Sequence, residues 1–286
     1  IIGSRSINSP PFWLSQCKYI EIDWENNSSI NQACKGVDVV IHAAGMNAED
    51  CNKNPLKALE FNGLGTARLI DNACNSQVKS FIYLSTAHVY NSPLIGKINE
   101  ESCTNNKNSY ATSHMAAENI TLNYCRNRNI DSVVLRLSNV YGSPSNPNAN
   151  CWMLLINNLC LQAVREKKLA LKTSGMQCRD FIPMQSVEQI ILKLVKNGLN
   201  FYGSNILNIG SGHSQSILDV TKIIQKRCEA VLDFSPEIII PETSLETKSK
   251  DLLYESLFIP KSSNADIMIH EIDSLLRFCK KNITNI

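Results

Sequence analysis

A repeated alternation of short apolar runs with helix-like segments constrains the fold of this chain more than any other feature. Three runs stand out, at residues 37–45 (VDVVIHAAG), 81–85 (FIYLS) and 132–140 (SVVLRLSNV). A continuous apolar run is typical of a parallel strand that is buried on both faces. Helices are predicted between the runs, at residues 55–76 and 109–128. The alternation predicts an α/β fold with a doubly wound parallel sheet and right-handed crossovers.

The alternation breaks after Tyr141, where a loop rich in Pro and Asn occupies residues 142–150. Shorter predicted elements follow, and an amphipathic helix at residues 263–281 ends the series. We predict interleaved lobes, because no linker or internal repeat divides the chain. Residues 1–141, with later segments that return to the sheet, form the first lobe, and residues 142–286 mainly form a smaller C-terminal lobe.

Composition and charge argue against several classes of protein. The 286 residues carry a net charge of +2 with scattered Lys and Arg, so no basic surface for nucleic acid is expected. No apolar run approaches the roughly 20 residues that cross a bilayer. The eleven cysteines form no CxxC pair, and the five histidines show no HxxxH or HExxH spacing. We expect a cytoplasmic protein with reduced thiols, no metal, and no membrane or nucleic-acid partner.

A hydroxyl pair is the strongest candidate for chemistry. Thr86 ends a buried run and Tyr110 begins a predicted helix, so both lie where ligands of open α/β sheets bind, outside the carboxyl ends of the strands. Such a pair can move a proton to or from a sugar hydroxyl while a hydride moves elsewhere. His114 follows Tyr110 by four residues and lies on the same helix face. We expect Thr86, Tyr110 and His114 to share one cleft with Ala44.

Eight motifs occur in a characteristic order along the chain. They are IDW (22–24), VIHAAG (40–45), FNGLGT (61–66), YLSTAHVY (83–90), YATSHMAAE (110–118), LRLSNVYGSP (135–144), RDFIPMQSV (179–187) and LNIGSG (207–212). The set resembles the extended short-chain dehydrogenase/reductase family, in particular its nucleotide-sugar epimerases and dehydratases. The resemblance implies a Rossmann-like fold, NAD or NADP as cofactor, a nucleotide-diphosphate sugar as substrate, and a homodimer.

The resemblance also implies a cofactor site. Its candidate residues are Arg5, Asp23, Trp24, Ala43, Ala44, Gly45, Asn62 and Ser85. Asp23 and Trp24 would border the adenine, and the small residues from Ala43 to Gly45 would pack on the pyrophosphate and ribose. An acidic residue near Arg5 would bond the ribose 2′-OH of NAD, whereas Arg suits the 2′-phosphate of NADP. Arg5 therefore favours NADP, and NAD remains the alternative.

The implied catalytic roles fall on Tyr110 as the acid/base and Thr86 as the hydrogen-bond partner of the reacting sugar oxygen. Asn139 and Arg179 would hold the substrate diphosphate, to which a planar guanidinium is matched. A surface ion pair is the alternative for Arg179. His88 is a further candidate for substrate binding and could lend a proton, although a hydrogen-bonded structural histidine is the alternative there.

Two departures from the family pattern lie at the reacting centre. His114 stands where the family has a lysine, whose permanent cation lowers the pKa of the tyrosine, whereas a histidine is mostly neutral at pH 7. Ala87 and His88 stand where the dehydratases carry Asp and Glu, so 4,6-dehydration is disfavoured. We expect an NAD(P)-dependent epimerase or keto-reductase. The alternative is a non-catalytic member that binds a dinucleotide or a sugar nucleotide.

The family's glycine-rich turn, GxxGxxG between a first strand and a helix, is a third departure. The sequence begins near the end of what matches the family's second strand, and we interpret it as truncated. The first strand would lie between the strands that end at Gly3 and His42. We therefore expect those two strands to be separated by a gap or collapsed together, with weak dinucleotide binding.

Overall fold

The computed structural model describes residues 1–5, 16–199, 204–242, 251–256 and 264–282. The chain divides into two compact units that alternate along the sequence. Unit 1 contains Ile1–Asn91, Thr104–Arg136 and Leu194–Leu207, and unit 2 contains Ser92–Cys103, Leu137–Lys193 and Asn208–Ile286. The predicted assignment of residues 1–141 to cofactor binding and of residues 142–286 mainly to substrate binding stays a prediction.

Strands and helices alternate along the described chain, as the apolar runs predict. In chain order they are β1 (Ile2–Ser4), β2 (Tyr19–Glu21), α1 (Asn27–Cys34), β3 (Val39–His42), α2 (Ala48–Lys53), α3 (Pro55–Ala58), a π-helical turn (Leu59–Leu64), α4 (Gly65–Asn75), β4 (Ser80–Thr86), a 3-10 turn (Ala87–Val89), β5 (Gly96–Ile98), α5 (Ser109–Arg128), β6 (Asp131–Leu137), β7 (Asn139–Tyr141), α6 (Leu155–Glu166), β8 (Lys168–Ala170), β9 (Cys178–Pro183), α7 (Met184–Asn197), β10 (Ile206–Ile209), β11 (Ser214–Ser216), α8 (Ile217–Leu232), β12 (Glu237–Ile239), β13 (Leu252–Tyr254) and α9 (Asn264–Asn282).

The main sheet has four strands in the order β10, β6, β4, β3, and β3 pairs with β4 in parallel. The core of unit 1 lies between this sheet and its helices. It includes Ile30 of α1, Ile70 of α4, Phe81 of β4 and Val134 of β6, each no more than 1% exposed. The long apolar runs therefore form the sheet and supply its core.

Two asparagines mark the beginning and the end of α5. Asn108 accepts a hydrogen bond from the Ala111 N–H at 2.8 Å and thereby caps α5. The helix ends at Arg128 because Asn129 adopts a left-handed conformation with φ of 56°. Tyr110 is consequently the second residue of α5, in the helical turn beside the cap.

The segment predicted as one helix at residues 55–76 is helical but not uniform. Pro55 occupies the first turn of α3, where its missing N–H is not needed. The π-helical turn follows and contains the buried Asn62 and Gly63 before α4 begins. Turns of this kind are frequent at functional sites. Here the side chain of Asn62 is buried, with 1% of the residue exposed.

The prediction that residues 37–45 form a strand buried on both faces is wrong. Within the described ranges β3 is the last strand of the main sheet, and β1 pairs in parallel with β2 in a separate two-stranded sheet. Ile41 of β3 is 46% exposed. A strand is buried on both faces only when other elements pack against both faces. The apolar sequence of the strand does not show whether those elements are present.

A cleft of about 260 Å³ separates β1 from β3. Its walls include Ile1 and Gly3 on one side and the residues from Val39 to Ala44 on the other. Of the two expected arrangements, a gap or a collapse, the strands adopt the gap.

Unit 2 has its own core and several small sheets. Strands β11, β9 and β7 form one sheet, in which β9 pairs in parallel with β7 and antiparallel with β11. Two further parallel pairs join β12 to β8 and β13 to β5. Helices α6, α8 and α9 pack together around Ile156, Ile224 and Leu275, each no more than 1% exposed.

Asp180 of β9 holds the glycine turn that follows β10. The fully buried carboxylate accepts hydrogen bonds from the Ser211 N–H and hydroxyl, both at 2.9 Å, and from the Ser138 hydroxyl at 2.6 Å. A Cβ on Gly210 would lie 2.8 Å from a carboxylate oxygen of Asp180. Only glycine therefore fits at this position of the turn.

All eleven cysteines are free thiols. No helix among the described residues has the length and apolar character needed to cross a membrane. The same ranges contain no cluster of three or more His, Cys, Asp or Glu side chains with the arrangement of a metal site.

A buried ion pair joins α5 to β6 and β4. Arg136 donates to both carboxylate oxygens of Glu118, and the shortest contact, from Nη2 to Oε2, is 2.7 Å. The side chains are 7% and 4% exposed. The Ser85 hydroxyl also donates to Glu118, and Arg136 Nη1 donates to the Tyr90 hydroxyl at 2.8 Å. Both charges are thus compensated by specific partners.

Glu118→Gln is expected to lower the free energy of unfolding by about 3 to 5 kcal/mol, because it leaves the Arg136 charge buried and uncompensated. Chemical denaturation at pH 7 measures this change. The matched control is Asp38→Asn, which removes an ion pair with Lys79 whose side chains are 71% and 77% exposed and should change stability little. Equal effects of the two substitutions would contradict a special role for the buried pair.

Candidate functional site

The predicted hydroxyl pair comes together at the carboxyl end of β4. Thr86 is buried, Tyr110 is half-buried, and the Thr86 hydroxyl hydrogen-bonds the Tyr110 hydroxyl. Thr86 Oγ1 also accepts the His88 N–H at 3.1 Å. A hydroxyl can accept and donate at the same time, so Thr86 retains its O–H as a donor to the Tyr110 oxygen. Burial raises the pKa of Tyr110, and the hydrogen bond from Thr86 acts in the opposite direction.

His114 lies against Tyr110 on the same face of α5. The two ring centroids are 4.5 Å apart in an edge-to-face arrangement. The imidazole is 6% exposed, and its Nδ1 lies 2.8 Å from the Tyr83 hydroxyl. Burial lowers the pKa of His114 to about 4. The residue in the lysine position therefore carries no positive charge at pH 7.

A second buried histidine, His42 at the end of β3, lies on the other side of Tyr83. Its ring centroid is 5.6 Å from that of Tyr83, and its Nε2 is 2.9 Å from Thr66 Oγ1. Since the Thr66 hydroxyl donates to the Asn62 carbonyl, His42 donates to Thr66. Burial is the main reason that the pKa of His42 falls to about 4, and His114 adds to the effect.

Asn62 ties the segments around the site together. Its Oδ1 accepts the Met46 N–H at 2.8 Å, and its Nδ2 donates to the Ser113 hydroxyl at 2.9 Å. Ser113 in turn donates to the Tyr110 carbonyl at 3.0 Å. Asn62 thus links the segment after β3 to α5, and its role in supporting the cofactor site stays a prediction.

Of the small residues after β3, Gly45 borders this site, whereas Ala43 and Ala44 border the cleft beside β1 and not the cleft expected for Ala44 with Thr86 and Tyr110. A Cβ on Gly45 would lie 3.5 Å from Asn62 Oδ1 and 3.7 and 3.8 Å from Cε1 and Nε2 of His114. Ala43 and Ala44 are exposed and line the cleft between β1 and β3. The Nε2 edge of His114 therefore faces the carboxyl end of β3.

The predicted adenine-binding residues surround Trp24. Its ring lines the same cleft, and its carbonyl accepts a hydrogen bond from Arg68 at 3.0 Å. Asp23 is exposed and accepts the Glu25 N–H at 3.0 Å. The Arg5 guanidinium lies 5.5 Å from the centroid of the Phe61 ring. These residues share one region of unit 1, and their roles stay predictions.

Two predicted residues of unit 1 make structural contacts. The buried Ser85 hydroxyl is directed to Glu118. His88 lies in the 3-10 turn, where its carbonyl accepts a hydrogen bond from Asn106 at 2.7 Å. The roles of Ser85 in cofactor binding and of His88 in substrate binding stay predictions.

Asn139 and Arg179 both belong to the β7–β9 region of unit 2. Asn139 Nδ2 donates to the Asp180 carbonyl at 2.9 Å and so bridges the two strands. Arg179 is half-buried, and among the described residues no carboxylate forms an ion pair with it. Its role in binding a diphosphate stays a prediction, and so does the alternative of a surface ion pair. Burial lowers the pKa of Arg179, but a guanidinium remains charged at neutral pH.

Four residues that organise the site lie within the sequence motifs but received no role in the sequence analysis. They are His42, Tyr83, Glu118 and Arg136. Two of them interrupt apolar runs, since Tyr83 stands within residues 81–85 and Arg136 within residues 132–140. A polar or charged group inside a buried strand needs a hydrogen-bond or ion-pair partner. The position of Tyr83 and Arg136 within apolar runs is therefore the sequence signal that could have identified them.

The fold and the site together define a dinucleotide-binding type of α/β protein, and comparison with known proteins identifies the family. The model of the NAD dependent epimerase/dehydratase family matches residues 1–210. The chain belongs to this family, which confirms the resemblance to extended short-chain dehydrogenases/reductases.

Individual relatives agree with this assignment. A dTDP-D-glucose 4,6-dehydratase of Dictyostelium discoideum is 30% identical over 203 residues, which cover 66% of this chain and 44% of the relative. A putative UDP-glucose 4-epimerase of Methanocaldococcus jannaschii is 26% identical over 77% of this chain and 72% of its own length. The chain spans about half the length of the dTDP-D-glucose 4,6-dehydratases that it matches.

A solved structure supports the fold. The NAD dependent NDP-hexosamine 5,6-dehydratase TunA superimposes with a TM-score of 0.77 at 21% identity, over 98% of this chain and 89% of that one. The predicted α/β class with a Rossmann-like parallel sheet is confirmed.

The residues present fit part of a dinucleotide. The hydroxyl pair, the Nε2 edge of His114 and the small residues after β3 suit a nicotinamide with its ribose, because they offer hydrogen-bond partners beside an open surface. The cleft next to Trp24 is lined by the last turn of α1 and by Leu69 of α4, and by no helix N-terminus among the described residues.

The two buried histidines predict a stability that falls with acid. Their folded pKa values of about 4 lie below the ordinary value of 6.5, so the unfolded chain binds more protons between these values. The free energy of unfolding is then fully retained above about pH 6.5 and falls toward pH 4, by up to about 1.4 kcal/mol per pH unit for each histidine.

Denaturant unfolding at pH 7 and pH 5 tests this expectation. His114→Gln should reduce the difference in free energy between the two pH values, because glutamine does not titrate. His213→Gln, at an exposed position, is the control and should leave the difference unchanged. If His114→Gln also leaves it unchanged, His114 is not the buried neutral group described above.

Proposed function

We propose that the protein is an NAD(P)-dependent epimerase or keto-reductase of nucleotide-diphosphate sugars. The observation that carries this proposal is the Thr86–Tyr110 hydroxyl pair at the end of β4, with the neutral His114 in contact with Tyr110. When bound, NAD(P) supplies the acceptor or donor of a hydride at the sugar carbon.

The protein residues handle the proton. In epimerisation, Tyr110 in its ionised form would take the proton of a sugar hydroxyl as hydride leaves the carbon that bears it, which forms a ketone. The proton and the hydride return after the keto sugar has presented its other face, which inverts the carbon. In ketone reduction only the second half occurs. The Thr86 hydroxyl stabilises the charge on the Tyr110 oxygen by donating a hydrogen bond.

The chemistry around Tyr110 favours these reactions over elimination of water. Dehydration needs an additional acid and base, for which carboxylates are suited. Ala87 and His88 follow Thr86 instead, and the nearby Glu118 is held by Arg136. The 30% identity to a dTDP-D-glucose 4,6-dehydratase does not outweigh these residues, because an elimination depends on its acid and base and not on overall identity.

Unit 2 supports the choice of substrate class. Arg179 offers a half-buried guanidinium without an ion-pair partner among the described residues, next in sequence to the buried Asp180. A guanidinium of this kind matches two phosphate oxygens at once. We propose that Arg179, with Asn139, binds the diphosphate of the sugar nucleotide.

The cofactor proposal rests on Arg5, Trp24 and the small residues from Ala43 to Gly45. Arg5 is the cation that would accept the 2′-phosphate of NADP, and NAD is the alternative. The homodimer and the cytoplasmic location remain part of the proposal. Exposed apolar side chains at Leu56, Leu59 and Leu64 offer a surface that a second copy would cover.

The protonation states of Tyr110 and His114 favour a second function, binding without catalysis. Burial raises the pKa of Tyr110, and His114 supplies no cation to lower it. A tyrosine in this state is a weak base at pH 7. This supports the alternative of a non-catalytic member of the family that binds a dinucleotide or a sugar nucleotide.

Assays of His114→Lys and Tyr110→Phe distinguish the two functions. The assays follow UDP- and dTDP-linked hexoses with NAD or NADPH, in this chain and in a version extended before Ile1 by a glycine-rich strand, turn and helix. We expect Tyr110→Phe to abolish turnover. His114→Lys should raise turnover near pH 7, because a cation at that range lowers the tyrosine pKa by about 1 to 3 units.

The control is Tyr124→Phe, which removes a phenol elsewhere on α5. Turnover that survives in Tyr110→Phe would rule out the acid/base role of Tyr110. Loss of activity in His114→Lys at all pH values, with good turnover by the native chain, would show that His114 has a role of its own. Binding of sugar nucleotides without turnover in either version would favour the second function.

Arg179→Ala tests the substrate site separately. Loss of charge-assisted hydrogen bonds to a diphosphate should weaken binding of UDP by roughly 10- to 100-fold in calorimetric titration. Arg165→Ala, at an exposed position on α6, should leave the affinity unchanged. Equal affinities of native chain and Arg179→Ala would remove Arg179 from the site.

A further inference from the structure

Tyr83 lies beside His114, and it has no assigned role although it is the first residue of the YLSTAHVY motif. Its ring is 1% exposed and lies between two imidazoles, with centroid distances of 5.6 Å to His42 and 6.0 Å to His114. The neighbouring rings fix its orientation. The Tyr83 hydroxyl lies 2.8 Å from His114 Nδ1 and has no other hydrogen-bond partner among the described residues.

The donors and acceptors of the Tyr83 phenol and the His114 imidazole determine the direction of this hydrogen bond. A buried phenol has one proton to donate and needs an acceptor for it. If His114 Nδ1 carried a proton, the Tyr83 proton would have no acceptor in the described chain. Loss of the phenol proton is no alternative, because burial and the nearby Glu118 raise the pKa of Tyr83. The Tyr83 hydroxyl therefore donates to Nδ1.

The consequence for His114 is a defined tautomer. A neutral imidazole that accepts at Nδ1 carries its proton on Nε2. That nitrogen lies 3.8 Å from where a Gly45 Cβ would be, and no acceptor among the described residues contacts it. Nε2–H is thus a fixed hydrogen-bond donor at the carboxyl end of β3, available to an oxygen of a bound molecule.

We infer that Tyr83 is a positioning residue for His114: it holds the neutral imidazole with its proton on Nε2, so that His114 donates to a ribose hydroxyl of the dinucleotide. This rests on the proposed function, since it names a donor within the same site. His114, held by Tyr83, then supplies a hydrogen-bond donor that carries no positive charge.

Nitrogen-15 NMR of the histidine rings tests the inference directly. In the native chain at pH 7, His114 should show a protonated Nε2 and an unprotonated, hydrogen-bonded Nδ1. In Tyr83→Phe, the Nδ1 resonance should lose its hydrogen-bond shift and the tautomer preference should weaken. Tyr124→Phe, which removes a phenol from the opposite part of α5, should leave both resonances unchanged.

A titration with NADH, followed through the His114 ring resonances, links the tautomer to binding. We expect Nε2 to shift on addition of NADH, and roughly 2- to 10-fold weaker binding in Tyr83→Phe. A proton on Nδ1 in the native chain, or an unchanged tautomer and affinity in Tyr83→Phe, would overturn the inference. Unfolding curves show whether the Tyr83→Phe variant is folded. If it is not, the tautomer of His114 in the native chain alone tests the inference.

The two proposals can fail separately. The expected tautomer and NADH shift without turnover of any sugar nucleotide would contradict the proposed catalysis and leave the role of Tyr83 intact. Turnover with a proton on Nδ1 would contradict the role of Tyr83 and leave the proposed catalysis intact.

Discussion

The site depends on the ion pair between Glu118 and Arg136, which connects α5 to the main sheet in the interior of unit 1. Glu118 lies eight residues after Tyr110 on the same helix, and Ser85, which donates to Glu118, directly precedes Thr86. The ion pair therefore sets the position of the helix that carries one hydroxyl relative to the strand that carries the other. Buried charges gain their value from geometry more than from net stability, and here the geometry is that of the Thr86–Tyr110 pair.

Much of the fold could be predicted from the sequence, because the apolar runs and the helix-forming segments between them are local features. The proximity of Thr86, Tyr110 and His114 could also be predicted, since a strand end and a helix start meet at the same edge of a parallel sheet. The partners of Tyr83, Glu118 and Arg136 were not. Tyr83 lies 31 residues from His114, and Glu118 lies 33 residues from Ser85 and 18 from Arg136. Such pairs form only once the sheet and α5 have packed.

Desolvation, more than charge, sets the properties of the reacting centre. It raises the pKa of Tyr110 and Tyr83 and lowers that of His114 and His42. All four changes favour the neutral form of the group. The centre is consequently a neutral hydrogen-bonding network at pH 7, in which donors and acceptors rather than fixed charges define what can bind.

The exposed edge of β3 has a consequence for the behaviour of the protein in concentrated solution. An apolar strand with an unpaired edge is a template on which the strand of another molecule can add. Ile41 lies on that strand, which is the last strand of the main sheet among the described residues, and is 46% exposed. Asp38 precedes the strand and pairs with Lys79. Charged side chains beside an apolar edge strand oppose such addition. The strand edge at β3 is consequently the place on unit 1 where addition of a second strand is favoured.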